Sequence, residues 1–240
     1  MPTEKKGVLP RIMEGIFVIL VLIGVLIFGY RYVSVKTAEK NPKVKQLEEK
    51  YREVLEGMNI DSIRLTQIKK IIRIMSRYND ELPSGTKFEI AEEIYNMSLK
   101  YTNLDVDLIC ATITHESGET WEPEIVSDAG AMGLMQIMPA SGVWVAHYEG
   151  ITWTSPEEVL FNPIYNVRLG CRLLSTYIQK YDLEGGLAAY NGGEKRAAIW
   201  LAHNKAKGIL WAETSNYIPQ VLLLYNEYKQ MDLQLTEASM

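Results

Sequence analysis

Residues 113–121, ITHESGETW, end an apolar stripe on a carboxylate. Asp105 reads as a helix N-cap, and Val106, Ile109, Cys110 and Ile113 follow at i, i+3, i+4 and i+7 spacing. The next position on that face is Glu116, and Gly118 supplies the stop. A carboxyl placed there meets two influences that disfavour its charge: burial, and the negative end of the helix dipole. The chemistry open to such a group is proton donation near neutral pH, the work of a general acid. On this stretch alone, a structural carboxylate bonded to a backbone amide or an arginine fits equally well. His115-Glu116 also opens an HExxH pattern, but position 119 is Glu, and neither His147 nor His203 is spaced as a partner on one helix. No metal site is expected, and Ser117 and Ser127 lack the setting of a nucleophile elbow.

A second stretch, SDAGAMGLMQIMPASG at 127–142, combines Gly130, Ala131 and Gly133 with a single amide, Gln136, among Leu134, Met135, Ile137 and Met138. The small residues allow a tight turn and close approach to a ligand. Taken alone, Gln136 reads as a satisfied core amide before it reads as a donor to a substrate.

The elements that must hold these residues read as helices. Asn41-Pro42 opens one, with Val44, Leu47, Val54, Leu55 and Met58 at helical spacing. A second is expected from near Asp61, with Ile68, Ile71, Ile72 and Met75 on one face. After the turn Leu82-Pro83-Ser84-Gly85, Thr86 and Glu89 form a capping-box pair before a helix burying Phe88, Ala91, Ile94 and Tyr95.

Upstream, GIFVILVLIGVLIFGY at 15–30 carries no charge, and flanking apolar residues extend it to 12–35. Tyr30, Tyr32 and Arg31 suit a membrane interface. Lys36-Thr37-Ala38 puts a lysine where a cleavage site wants a small residue, so an uncleaved anchor is favoured over a signal peptide. Cations on both sides of the span leave its orientation open. A net charge of -5 without a dense basic run excludes a general affinity for nucleic acid. Two cysteines, Cys110 and Cys171, are too few for a disulfide scaffold; two buried thiols are favoured over one bridge.

Taken together, the two stretches resemble the catalytic domain of soluble lytic transglycosylases, in the lysozyme superfamily. Glu116-Ser117, then Pro123, Ser127 and Gly130 to Pro139, carry the first part of the likeness. Asn162-Pro163, Asn166, Gly170 and Leu173-Leu174 follow in the family's order, then Ala189-Tyr190-Asn191-Gly192-Gly193, then Glu213-Thr214 with Asn216-Tyr217. The resemblance covers about 104–228 and is silent on the first hundred residues. It implies an all-α, lysozyme-like domain at 104–228. Around it the expected order is a tail at 1–11, a transmembrane anchor at 12–35, a helical leader at 36–103 and a C-terminal tail at 229–240.

The activity implied is cleavage of the β-1,4 bond between N-acetylmuramic acid and N-acetylglucosamine in peptidoglycan, leaving a 1,6-anhydromuramoyl end. Glu116 would act alone as acid and then base, with no cofactor. Ser127 would hold its carboxyl or the N-acetyl group, Met135 and Gln136 would line the glycan cleft, Tyr190 would position Glu116 or the intermediate, and Asn191 would support its turn. Glu213 and Tyr217 read as structural. The partners implied are glycan strands and, through 12–35, the lipid bilayer, with the catalytic domain on the cell-wall side of an inner membrane. A wall-spanning protein complex is a further partner that the architecture suggests. A hydrolytic muramidase and a silent glycan-binding module are the alternatives. The chain also departs from the family pattern: Trp121 and Pro123 come two residues late, Ile125 replaces a small residue and Ser215 an arginine. Glu119, Glu122, Glu124 and Asp128 read as solvated loop charges, with Asp128 the one to watch as a second acid.

Overall fold

The computed structural model describes residues 22–32 and 42–237. Eight helices follow Pro42: α1 (Pro42–Tyr78), α2 (Ser84–Lys100), α3 (Val106–Glu116), α4 (Pro139–Tyr148), α5 (Pro156–Leu160), α6 (Pro163–Gly192), α7 (Glu194–Ala202) and α8 (Ala212–Glu237). Among the described residues the only extended pairing is two isolated antiparallel bridges, Val126 with Met132 and Met132 with Ile137. The chain divides into two units, Met1–Asp61 and Ser62–Met240.

In the first unit, residues 22–32 are helical and exposed. Most of the expected anchor lies outside the described residues. Among those described, no helix is long and apolar enough to cross a membrane. Instead of two leader helices, α1 is a single helix. The apolar positions before and after Asp61 share one phase, so nothing in the pattern forces a break there, and Gly57 costs only about 1 kcal/mol within a long helix.

The second unit is built on α3. Every residue from Val106 to Thr114 is buried, which marks a central helix rather than a surface one with a single apolar stripe. It packs against α8 and α2, while α6 packs against α2, α4, α5, α7 and α8. Asp105 caps α3 as expected, its Oδ1 accepting from the Leu108 amide at 2.9 Å. Its Oδ2 accepts from the Tyr225 hydroxyl at 2.7 Å, tying that end of α3 to α8. A buried ion pair between Lys70 and Asp107, 2.6 Å apart, ties α1 to α3. Cys110 and Cys171 are both free and buried.

Residues 62–103, read from sequence as leader, share this core through Ile68, Ile71, Ile74, Met75, Ile90 and Ile94. The capping box is not formed: α2 begins at Ser84 behind Pro83, with no side-chain cap. Phe88 is 42% exposed. It stands two residues before Ile90, about 200° away around the helix. The charged residues that are buried instead are satisfied. Lys87 Nζ donates to Ser76 Oγ and to the Asp80 carbonyl, and Glu93 takes a two-pronged bond from Arg168. At the far end, α8 carries helix through the expected tail to Glu237, with Tyr228 and Met231 buried.

Candidate active site

Glu116 is the last residue of α3. Beyond it the chain reverses: the Ser117 amide bonds the Ile113 carbonyl, Gly118 that of His115 and Glu119 that of Thr114. Gly118 and Glu119 both take positive φ, at 59° and 61°. The two-residue departure from the family pattern is absorbed here. Trp121, at φ 49°, is fully buried, its indole N–H donating to Thr114 Oγ1 at 2.9 Å and its amide to Ser117 Oγ at 3.1 Å.

The Glu116 carboxyl has a buried oxygen, Oε1, with no hydrogen-bond partner. Burial is the main cause that pushes its pKa up to about 8; the nearby Tyr217 hydroxyl opposes the shift and the charge of Glu213 adds to it. A carboxylic acid held this way is protonated at neutral pH and can donate. Tyr217 is 1% exposed and its hydroxyl also makes no complete hydrogen bond. It is close enough to favour the ionised carboxylate without being locked to it. Burial, then the charge of Glu116, keeps both Tyr190 and Tyr217 protonated.

Tyr190, near the C-terminus of α6, donates its hydroxyl to the Met135 carbonyl at 2.7 Å. That bond clamps the loop 122–138 to α6. Asn166 does more for the same loop. Fully buried, it accepts from the Met135 amide at 2.7 Å and donates to the carbonyls of Met132 and Leu160 at 2.9 and 2.8 Å. Gly133 must be glycine beside it, because a Cβ would lie 2.2 Å from Asn166 Nδ2, and its φ is +78°. Gly170 is glycine for the same kind of reason: a Cβ there would lie 2.4 Å from Met135 Sδ.

The remaining expected residues sort as follows. Met135 is fully buried and its side chain packs on Gly170, so its contribution comes from its backbone. Gln136, at φ 46°, donates its amide to the Gly133 carbonyl at 3.0 Å and holds the loop, leaving its carbonyl end available. Ser127 closes its own turn, with Oγ accepting from the Ala131 amide at 3.0 Å, rather than bonding Glu116. Asn191 is half-buried one residue after Tyr190, with no side-chain hydrogen bond among the described residues.

Glu119, Glu122, Glu124 and Asp128 are all exposed, and none of them contributes to the shift at Glu116. The carboxylate that does is Glu213, exposed in the first turn of α8. Glu213 and Tyr217 are the residues that sequence reasoning undervalued. The available signal was their separation of four residues, which puts both on one helix face. A hollow of about 680 Å³ lies alongside, lined by Gly192, Gly193, Arg196 and Ile209 among others, and Glu116 is not in its wall.

Residues 93–211 match the family described as the Transglycosylase SLT domain. The chain carries a transglycosylase SLT domain. A putative soluble lytic murein transglycosylase of Haemophilus influenzae is 31% identical over 149 residues, which is 58% of this chain and 24% of that protein. A membrane-bound lytic murein transglycosylase C of Histophilus somni is 33% identical over 106 residues, 44% of this chain and 28% of its own. Among solved structures, an inactive mutant of the lytic transglycosylase Slt from Pseudomonas aeruginosa superposes with a TM-score of 0.50 and 25% identity, covering 58% of this chain and 24% of that one. The chain thus spans about a quarter of the curated relatives it matches. The SLT match stops at 211, so α8, with Glu213 and Tyr217, lies beyond it.

Proposed function

We propose that the chain is a peptidoglycan lytic transglycosylase whose single acid and base is Glu116. The observation that carries this reading is a carboxyl pushed up to about 8 by burial, with an unpartnered oxygen. Protonated Glu116 gives its proton to the glycosidic oxygen as the C1–O4 bond of the muramoyl residue breaks. Positive charge develops at C1. The resulting carboxylate then takes the proton from the muramoyl C6 hydroxyl while O6 bonds to C1, closing the 1,6-anhydro ring and restoring the acid. No water is consumed. Tyr217 has a role at the midpoint: its hydroxyl gives the newly formed carboxylate a donor in a site that has been dried by burial. Tyr190 and Asn166 hold the loop 122–138 against α6. Ser127, the Met135 backbone, Gln136 and Asn191 are then the groups that meet the glycan.

Residues 12–35 would anchor the chain in the inner membrane, with the SLT domain on the wall side and near any wall-spanning complex. A relative named as membrane-bound agrees with that reading. A second reading, hydrolysis by a muramidase, is favoured by Glu213, whose charge reaches Glu116 and which could direct a water to C1.

Mass spectrometry of the products from intact peptidoglycan distinguishes the two. Muramoyl ends lighter by one water are expected. Reducing ends would transfer the assignment to hydrolysis and to Glu213. A folded protein that binds glycan but releases nothing would mean a silent binding module.

A further inference from the structure

His115 does not complete an HExxH motif, yet it is the chain neighbour of Glu116 in the last turn of α3. Its imidazole meets the Tyr217 ring edge to face, with centroids 4.8 Å apart and planes at 77°. Its Nε2 lies 2.7 Å from Gln220 Oε1. A carbonyl oxygen only accepts, so the ring nitrogen is the donor. Tyr217 and Gln220 are three residues apart on α8 and therefore share one face of it. One side chain of α3 thus engages two neighbouring positions on the α8 face that carries the partner of Glu116.

The Tyr217 hydroxyl is the group that needs such support. It is buried without a complete hydrogen bond, yet it eases the ionisation of Glu116. A hydroxyl with no bond to fix it lies wherever the packing of its ring puts it. A hollow of about 390 Å³ opens beside the imidazole, lined by His115, Gly118, Glu119, Gln220, Leu223 and Leu224. Tyr217, at 1% exposure, stays out of it.

We infer that His115, anchored by Gln220, is a positioning residue whose imidazole backs the Tyr217 ring and keeps the phenol hydroxyl beside Glu116. Without the imidazole the phenol gains room towards the hollow and leaves the carboxyl. The inference rests on the acid and base role proposed for Glu116, because only there does the place of this hydroxyl govern turnover. Other groups coupled to that carboxyl are Glu213 of α8, whose charge raises its pKa, and Tyr190 of α6, which its charge keeps protonated.

The test is an infrared titration of the Glu116 carboxyl on the full chain, its carbonyl band identified by its loss in Glu116→Gln. The wild-type midpoint is expected at about pH 8. His115→Leu should raise it by about half a unit to one unit, the worth of an edge-to-face pair. Tyr217→Phe should also raise it, and adding His115→Leu in that background should change nothing more. On peptidoglycan, His115→Leu should lower kcat roughly three- to tenfold with KM unchanged. Gln220 is exposed, so Gln220→Ala leaves the fold intact and should shift the midpoint in the same direction. An unmoved midpoint in either single variant overturns the inference. So does a His115→Leu shift that persists beside Tyr217→Phe, which would mean that the imidazole acts on Glu116 directly. The titration needs no turnover, so it judges His115 separately from the reaction. Full cleavage by Glu116→Gln would overturn the reaction, and the inference with it.

Discussion

The two ends of α3 carry the same functional group in opposite circumstances. Asp105 stands at the N-terminus, partly exposed, its oxygens accepting from the Leu108 amide and the Tyr225 hydroxyl. Glu116 stands at the C-terminus, where the helix offers carbonyl groups instead of donors, with one oxygen buried and bonded to nothing. The first carboxylate holds its helix in place. The second keeps one oxygen unpartnered, and only the nearby Tyr217 hydroxyl eases its ionisation. Eleven residues of one helix therefore separate a cap from an acid, and the difference lies in hydrogen-bond supply and water access rather than in residue type.

The most severe way to break the comparison is Glu116→Gln. Glycan cleavage should fall by about a thousandfold or more, measured as product release from intact peptidoglycan. The same variant tests the burial. A carboxyl whose pKa is raised on folding contributes most below its unfolded value and loses that contribution as pH rises through about 8. The Gln variant should therefore match the wild type in acid and become the more stable of the two between about pH 5 and 8, as followed by urea unfolding. No pH-dependent gap would mean that Glu116 has water or a partner in solution.

Tyr217→Phe is next. It removes the one group that eases ionisation of Glu116, so turnover should drop by roughly ten- to a hundredfold and the alkaline limb of activity should move to higher pH. At the other end, Asp105→Ala should cost about 1–2 kcal/mol of stability by removing the cap, with the pH profile of cleavage unchanged. A change in that profile would show the two ends to be coupled. Glu213→Gln is the smallest and has the opposite sign to Tyr217→Phe. Removing a negative charge from beside Glu116 should move the alkaline limb to lower pH by a few tenths of a unit, read from kcat/KM against pH. Loss of activity on the scale of Glu116→Gln would instead make Glu213 a second catalytic carboxylate.

Local pattern carried the reading of α3 a long way. An apolar run at helical spacing, a capping residue before it and glycine after it are decided within a few residues, so Asp105, Glu116 and Gly118 could be placed without coordinates. Met135 shows where that method fails. An apolar side chain next to a candidate ligand-binding amide has equal reason to face the cleft or the core, and only the bare backbone at Gly170 makes the core the available space. Ser127 and Gln136 stand out in the sequence as polar groups in an apolar loop. Their present hydrogen bonds are to that loop, because its backbone lacks helix or sheet partners and takes the nearest donors and acceptors. The single span of α1 and the uncapped start of α2 were misjudged for a related reason. Asp61 and Thr86 are competent caps, but the helical backbone runs unbroken through Asp61 and the next helix already starts at Ser84, so neither residue stands at a helix start.

By itself the sequence determined a helical chain, an acid on an inward face at the end of a central helix, and the blocks that match the SLT domain. These depend on spacing within single elements. Only the tertiary structure decided what surrounds that acid. Tyr190 comes from α6, while Tyr217 and Glu213 come from α8, about a hundred residues further along the chain than Glu116. Their approach is set by α8 packing on both α3 and α6, and the pKa of Glu116 depends on the burial that this packing produces.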